Sequence, residues 1–270
     1  MERRVIALIV LLLALALLIT APLLAFTPVG RRLLVTTGFV TPTPTATPTL
    51  IPFTPTPLPT PMPVLTAEGT PPALSATASY LLDMDTGHVL DDVNGEKPLP
   101  MASTTKIMTA LIAIQTGNLD QQITVPQEAI NRVVENNGSN AGLAVGETLT
   151  LKDLLYGLLV PSGDDAAVTI ADGLGGTMEN FVQRMNLFAY RLRLFQTHYT
   201  SPDGLTPDGQ TNPDHYTTAA DLTRLADYAM HVPLFAQIVQ TKTYTVAATA
   251  VHNAHRWANT NTLLTTYTGM

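Results

Sequence analysis

Ser103 and Lys106 stand three residues apart in Pro100-Met101-Ala102-Ser103-Thr104-Thr105-Lys106-Ile107-Met108. On a helix, that spacing puts them on neighbouring turns of one side. A serine hydroxyl is a weak nucleophile until a base removes its proton, and a neutral amine one turn away can do so. A helix start adds N–H groups without internal acceptors, which suit an oxyanion. Taken alone, the pair fits a serine N-cap beside a solvent-exposed lysine equally well. A second group of hydroxyl and polar side chains follows at Ser162-Gly163-Asp164. Either Ser162 and Asp164 only cap a helix, or the loop points Ser162 at the Ser103–Lys106 pair and helps to shuttle a proton.

These side chains need elements to hold them. Ile107, Ala110, Leu111 and Ile114 recur at helical spacing, which predicts a helix from Ser103 to about Gly117 with one apolar side. Residues 78–83 and 88–91 read as strands joined by the turn Asp85-Thr86-Gly87. Residues 123–135 are mixed, and 136–140 are a polar loop rich in turn formers. Thr150-Leu151-Lys152-Asp153 resembles a capping box opening a short helix to Val160, stopped by Pro161. The tight loop at Pro161-Ser162-Gly163 feeds a further helix, whose start suits the charges of Asp164 and Asp165. Phe181, Met185, Phe188, Leu192 and Phe195 mark an amphipathic helix with its stripe in the core. Ser201-Pro202-Asp203-Gly204 and Thr206-Pro207-Asp208-Gly209 read as turns of one long surface loop. Thr218 caps a helix to about Met230, and residues 242–246 alternate like a strand.

The 270-residue chain carries a formal net charge of −7, which argues against the basic face that a nucleic-acid partner requires. Without cysteine, neither a disulfide framework nor thiolate chemistry is available. Residues 5–26 are almost wholly apolar and long enough to span a bilayer. Residues 1–30 are therefore an N-terminal transmembrane anchor or a signal segment. A retained anchor is favoured, because no small-x-small cleavage site follows the apolar run. Either reading sends the remainder out of the cytoplasm. Residues 31–72 form a linker, and its stretch 41–72 holds 11 of the 21 prolines, mostly alternating with Thr. As polyproline II at about 3.1 Å per residue, it would reach on the order of 100 Å. Residues 73–270 have a globular composition and hold Ser103, Lys106 and Ser162, so any catalytic domain is expected there.

Ser-x-x-Lys followed by a Ser-x-Asn-type loop begins the signature of the penicillin-recognising serine enzymes. The chain resembles the D-alanyl-D-alanine carboxypeptidases, the low-molecular-weight penicillin-binding proteins. The resemblance is carried by residues 102–111 and by Leu154-Leu155-Tyr156 through Pro161-Ser162-Gly163-Asp164-Asp165-Ala166-Ala167. It continues in Ser201-Pro202-Asp203-Gly204-Leu205, Thr217-Thr218-Ala219-Ala220-Asp221-Leu222 and Asn259-Thr260-Asn261-Thr262-Leu263-Leu264. The resemblance implies an α/β (α+β) fold of the β-lactamase/transpeptidase type, an antiparallel sheet flanked by a helical region with the site between them. It implies that Ser103 attacks the D-Ala-D-Ala bond of a peptidoglycan stem peptide, that D-Ala leaves, and that water frees the acyl-enzyme. Lys106 would be the base and Ser162 its proton partner. Stem peptides ending in D-Ala-D-Ala and β-lactams, as covalent inhibitors, are the implied partners, with no cofactor and no metal.

Two positions depart from the family. Asn is usual where Asp164 stands, a position implied to contact substrate. An ionised Asp offers acceptors only, and beside Lys106 it favours the ammonium over the free amine. No Lys-Thr-Gly follows either. After Lys106 the lysines are Lys152 and Lys242. Lys242-Thr243-Tyr244 is rejected, because Tyr replaces the Gly that permits close backbone approach. The C-terminal strands are therefore expected to be missing, the chain to be part of a longer protein, and residues 73–270 alone to be poorly soluble and inactive. Two other functions compete. A class A-type β-lactamase needs a Glu to activate its deacylating water, and no Glu follows Glu179. A non-catalytic sensor of wall peptide or β-lactam fits the altered Asp164 and the absent third motif, but not the intact Ser103, Lys106 and Ser162. His252 and His255 lack the His-Glu-x-x-His pattern of a metallopeptidase.

Overall fold

The computed structural model describes residues 73–206 and 212–268. The apolar run at 5–26, the proline-rich stretch and the expected turn beyond Thr206 lie outside the described residues. Among those described, no helix is long and apolar enough to cross a membrane.

Strands β1 (Ser79–Leu82) and β2 (Val89–Val93) form an antiparallel hairpin. Its turn closes where Asp83 accepts from the amides of Asp85 and Thr86, with Gly87 at φ +72°. The two-residue strand β3 (Leu99–Pro100) leads into a 3₁₀ turn (Ala102–Thr105) and helix α1 (Lys106–Thr116). The stretch read as mixed resolves into β4 (Gln122–Thr124) and helix α2 (Gln127–Glu135), parted by Pro126. Strand β5 (Thr148–Thr150) pairs with β4 and runs straight into α3 (Leu151–Leu159). Thr150 caps α3 by accepting from the Asp153 amide at 3.0 Å, the capping box in a shortened form with Asp.

Helix α4 (Asp164–Gly175) ends at Gly176 with φ +73°, and α5 (Met178–Arg191) starts from a Thr177 cap. Strand β6 (Tyr216–Thr217) pairs with β3, and α6 (Ala219–Met230) is capped by Thr218, as read from the sequence. Helix α7 (Pro233–Val239), the hairpin of β7 (Thr243–Val246) and β8 (His255–Ala258), and the short α8 (Leu263–Thr266) complete the described chain.

All strand pairs are antiparallel, but among the described residues they form four separate two-stranded ladders rather than one sheet. The β1–β2 hairpin leaves Leu81 and Val93 exposed. Among the described residues, helix α1 packs against five others, α3, α4, α5, α6 and α7. Its one-sided stripe is therefore corrected. Met108 through Ala113 are all buried, whereas Ile107 and Ile114 are only half-buried. A helix surrounded by helices has no solvent face to keep polar. On α5, Phe181, Met185 and Phe188 are buried as expected, with Leu192 just past its end. Each such side chain contributes about 1.5 to 3 kcal/mol by leaving water. Phe195 does not continue that stripe. It lies beyond the helix and is 66% exposed.

Candidate active site

The strand β3 delivers the chain to a turn that no ordinary helix start would make. Ala102 has φ +45°, left-handed for a residue with a Cβ, and Ser162 in the opposing loop has φ +65°. Such conformations cost roughly 1 to 3 kcal/mol each and persist only where the surroundings fix them. Here they bring three side chains together. Lys106 Nζ donates to Ser103 Oγ at 2.9 Å and to Ser162 Oγ at 3.3 Å. Ser103 is exposed while Lys106 is buried, so the hydroxyl opens to solvent and its neighbouring amine does not.

Asp164 completes the cluster from the first turn of α4. Its Oδ1 makes an ion pair with Lys106 Nζ at 2.6 Å, both side chains being almost wholly buried. Burial raises the Asp164 carboxyl above the ordinary aspartate range, and the Lys106 charge offsets only part of that rise. The loop at 136–140 lies over this carboxylate, so closely that a Cβ on Gly138 would overlap Oδ2. Asp165, next in sequence, has different partners. Its carboxylate accepts from the amides of Ala141 (2.8 Å) and Leu143 (3.0 Å) and ties that loop down.

The Ser162 turn is buttressed from behind by stacked rings. Tyr156 of α3 lies on Tyr244 of β7 with centroids 3.6 Å apart, Tyr244 on Trp257 at 6.1 Å, and Trp257 on His255 at 5.4 Å. Trp257 Nε1 donates to the Ala141 carbonyl at 2.7 Å, its ring against Gly157. Tyr244 is thus committed to this stack, its hydroxyl bonded to Asp153 at 2.8 Å, and Lys242 is exposed on the same hairpin.

The loop read as a surface turn is corrected most plainly. Ser201, Pro202, Asp203 and Gly204 are buried, and they form the floor beneath the nucleophile turn. Thr109 Oγ1 donates to the Pro202 carbonyl at 2.6 Å. Asp203 is held by Arg132 of α2 through Nε and Nη2, and Arg132 also donates to the Leu205 carbonyl at 2.9 Å. Burial pushes the Asp203 carboxyl up, but the Arg132 hydrogen bonds and charge outweigh it and hold the group below its usual range. Gly204, at φ +79°, sits directly on the Ala102 carbonyl. Sequence reasoning missed Arg132, Asp203 and Gly204 as one unit, although Asp-Gly inside a motif of the family was the available signal.

Sequence reasoning also missed His215. It is buried against the same turn, its Nε2 2.8 Å from Thr105 Oγ1. Burial pulls its pKa down to about 4, opposed by the Asp203 carboxylate and assisted by His198 and Arg132. An unfolded histidine titrates near 6.5. Between those values the unfolded chain binds the extra proton, so stability is full above about 6.5 and falls as pH drops toward about 4. Denaturant melts from pH 7 to 4 are expected to show this slope, and His215→Gln to lose the part due to the ring.

A family model for D-alanyl-D-alanine carboxypeptidases (peptidase S11) matches residues 65–270. The D-alanyl-D-alanine carboxypeptidase of Streptomyces sp. (strain K15) is 35% identical over 212 residues, covering 74% of this chain and 71% of the relative. The carboxypeptidase DacF of Bacillus subtilis is 36% identical over 157 residues, 57% of this chain but only 39% of that protein. Among solved structures, the Streptomyces K15 DD-transpeptidase superposes with a TM-score of 0.68 at 37% identity, covering 74% of this chain and 79% of that one. Penicillin-binding protein 6B of Escherichia coli gives 0.64 at 30% identity, covering 74% and 62%.

Proposed function

The chain belongs to the D-alanyl-D-alanine carboxypeptidase family, and we propose that it is a serine enzyme trimming D-Ala-D-Ala peptidoglycan stem peptides. The observation that carries this reading is a single buried amine, Lys106 Nζ, within hydrogen-bond reach of both Ser103 Oγ and Ser162 Oγ. Ser103 Oγ attacks the carbonyl carbon of the penultimate D-Ala while its proton passes to the Lys106 amine. The C–N bond to the terminal D-Ala breaks, and the departing amine takes that proton by way of Ser162. Water then attacks the ester, gives one proton back through the same pair to Ser103, and releases the shortened peptide. The Ser103 amide, in the first turn of the 3₁₀ segment, supplies an oxyanion donor. Lys106 must be free of its extra proton before attack, and the Asp164 carboxylate 2.6 Å away opposes that by favouring the ammonium. Asp164, expected from the sequence at the substrate, is assigned here to the charge of the lysine. β-Lactams acylate the same serine.

The apolar run at 5–26 supports an anchor within residues 1–30, in the bacterial cell membrane. Residues 31–72 then hold the catalytic domain, residues 73–270, outside the cytoplasm and near its wall substrate. The test of the function is a covalent adduct. After treatment of the full-length protein with a penicillin, mass spectrometry is expected to place the acyl group on the Ser103 peptide, and Ser103→Ala to carry none. An adduct on another peptide, or none at millimolar drug, would overturn the assignment.

A further inference from the structure

The strained turn at Ala102 needs something to fix it, and the structure supplies a directed chain of hydrogen bonds that ends there. We propose that His215 is a positioning residue for Ser103, acting through the Thr105 hydroxyl on the carbonyl of Ala102. The proposal rests on Ser103 being the nucleophile. His215 itself touches Thr105 and not the reacting atoms.

The direction of the chain follows from donors that cannot be reversed. The backbone amide of Thr200 points at His215 Nδ1 at 3.0 Å, and an amide can only donate. Nδ1 is therefore the ring's acceptor, and the proton of the neutral imidazole sits on Nε2. Nε2–H donates to Thr105 Oγ1 at 2.8 Å. That leaves the Thr105 hydrogen for the Ala102 carbonyl, 2.7 Å away. The Thr200 hydroxyl, 3.1 Å from Nδ1, accepts from Asn212 Nδ2 at 2.8 Å, which turns its own hydrogen toward the ring. Every group donates in one sense, from Thr200 to Ala102.

The backbone around the chain is held as firmly. His215 immediately precedes β6, whose Tyr216 and Thr217 pair with Pro100 and Leu99 just ahead of the turn. The Ala102 carbonyl is thus trapped between the Thr105 hydroxyl and the Gly204 backbone. Thr105 is fully buried, so a hydroxyl there without partners would be costly. A 3₁₀ turn has poorer internal hydrogen bonds than an α-helix and depends more on such outside support. Burial keeps the ring neutral at ordinary pH, which the single direction of the chain requires.

The experiment compares Thr105→Val, which keeps the shape and removes the hydroxyl, with Thr105→Ser, which keeps the hydroxyl. A fluorescent penicillin is used on the full-length protein, and pre-covalent binding is resolved from the first-order acylation step. Thr105→Val is expected to slow acylation by roughly 10- to 100-fold, the scale of a misplaced reacting group, with pre-covalent binding unchanged. Thr105→Ser should restore most of the rate. Rates are referred to the folded fraction of each variant under the assay conditions, taken from its denaturation curve, so that lost stability is not counted as lost positioning. The ¹⁵N resonances of His215 should show the Nε2–H tautomer in the wild type and a mixture in Thr105→Val. Wild-type acylation rates in Thr105→Val, no rescue by Thr105→Ser, or an Nδ1–H ring would each overturn the proposal. A wild-type protein that takes no penicillin would defeat the functional reading and the positioning claim with it, whereas an acylated wild type matched by Thr105→Val would defeat the positioning claim alone.

Discussion

Asp164→Asn is expected to speed the acylation of Ser103 by penicillin at neutral pH and to move the rising, acid-side limb of its pH–rate profile to lower pH. Lys106 and Asp164 form a close pair shielded from water, and the carboxylate stabilises the ammonium form of a group that must act as an amine. Asparagine keeps the size and an acceptor oxygen, adds a donor, and removes the charge. With its counter-ion gone, a buried ammonium has little to repay its lost hydration, so the amine is populated at lower pH. A gain of about tenfold or more is expected, since it needs only about 1.4 kcal/mol. Unit charges this close in a protein attract by more than that even at a generous effective dielectric. Stopped-flow acylation across pH checks the claim. An unchanged or slower rate at every pH would show that Asp164 is adapted to its site and that this electrostatic account is wrong.

Gly204→Ala is expected to be among the most damaging small substitutions in the domain. At φ +79° an added Cβ is strained by itself, by roughly 1 to 3 kcal/mol. The same Cβ would overlap the Ala102 carbonyl and come within 2.5 Å of Thr105 Oγ1. One obstacle is backbone and the other is pinned by His215, so neither swings aside as a flexible side chain would. Overpacking of this kind adds roughly 1 to 3 kcal/mol. Together they approach the whole stability of a marginal domain, about 5 to 15 kcal/mol. Chemical denaturation should show the loss, and the fraction that stays folded should acylate slowly, because the group forced to move is the residue before Ser103. An unchanged midpoint with normal acylation would mean that the turn yields freely.

What could be read from the chain beforehand was what is local. Ser103, Lys106 and Ser162 were found from spacing joined to a family pattern, and their polar atoms do meet. The caps at Thr150 and Thr218 were legible because a cap is decided within four residues. The floor of the site was not. Ser201–Gly204 has the composition of an exposed turn, and nothing nearby in sequence says that Arg132 will bury Asp203 or that α1 will lie on Pro202. His215 reaches Thr105 across 110 residues. Strands β3, β5 and β6 have too few residues for alternation to register. The stripe on α1 misled for a related reason, since periodicity reports a solvent face and this helix is enclosed by others.

The ring stack behind Ser162 gives the protein an optical property. Trp257 is the only tryptophan in the chain, so light absorbed beyond the tyrosine band is emitted by one indole. That indole is buried, lies between Tyr244 and His255, and donates its N–H to the backbone of the loop that Asp165 ties down. Its emission wavelength therefore registers one place, the wall that supports Ser162. A loosened wall lets water reach the indole and reddens the emission while the far-ultraviolet signature of the helices stands still. Global melting moves both together. The molecule carries its own fluorophore at the point where local loosening and global unfolding can be told apart, without any label.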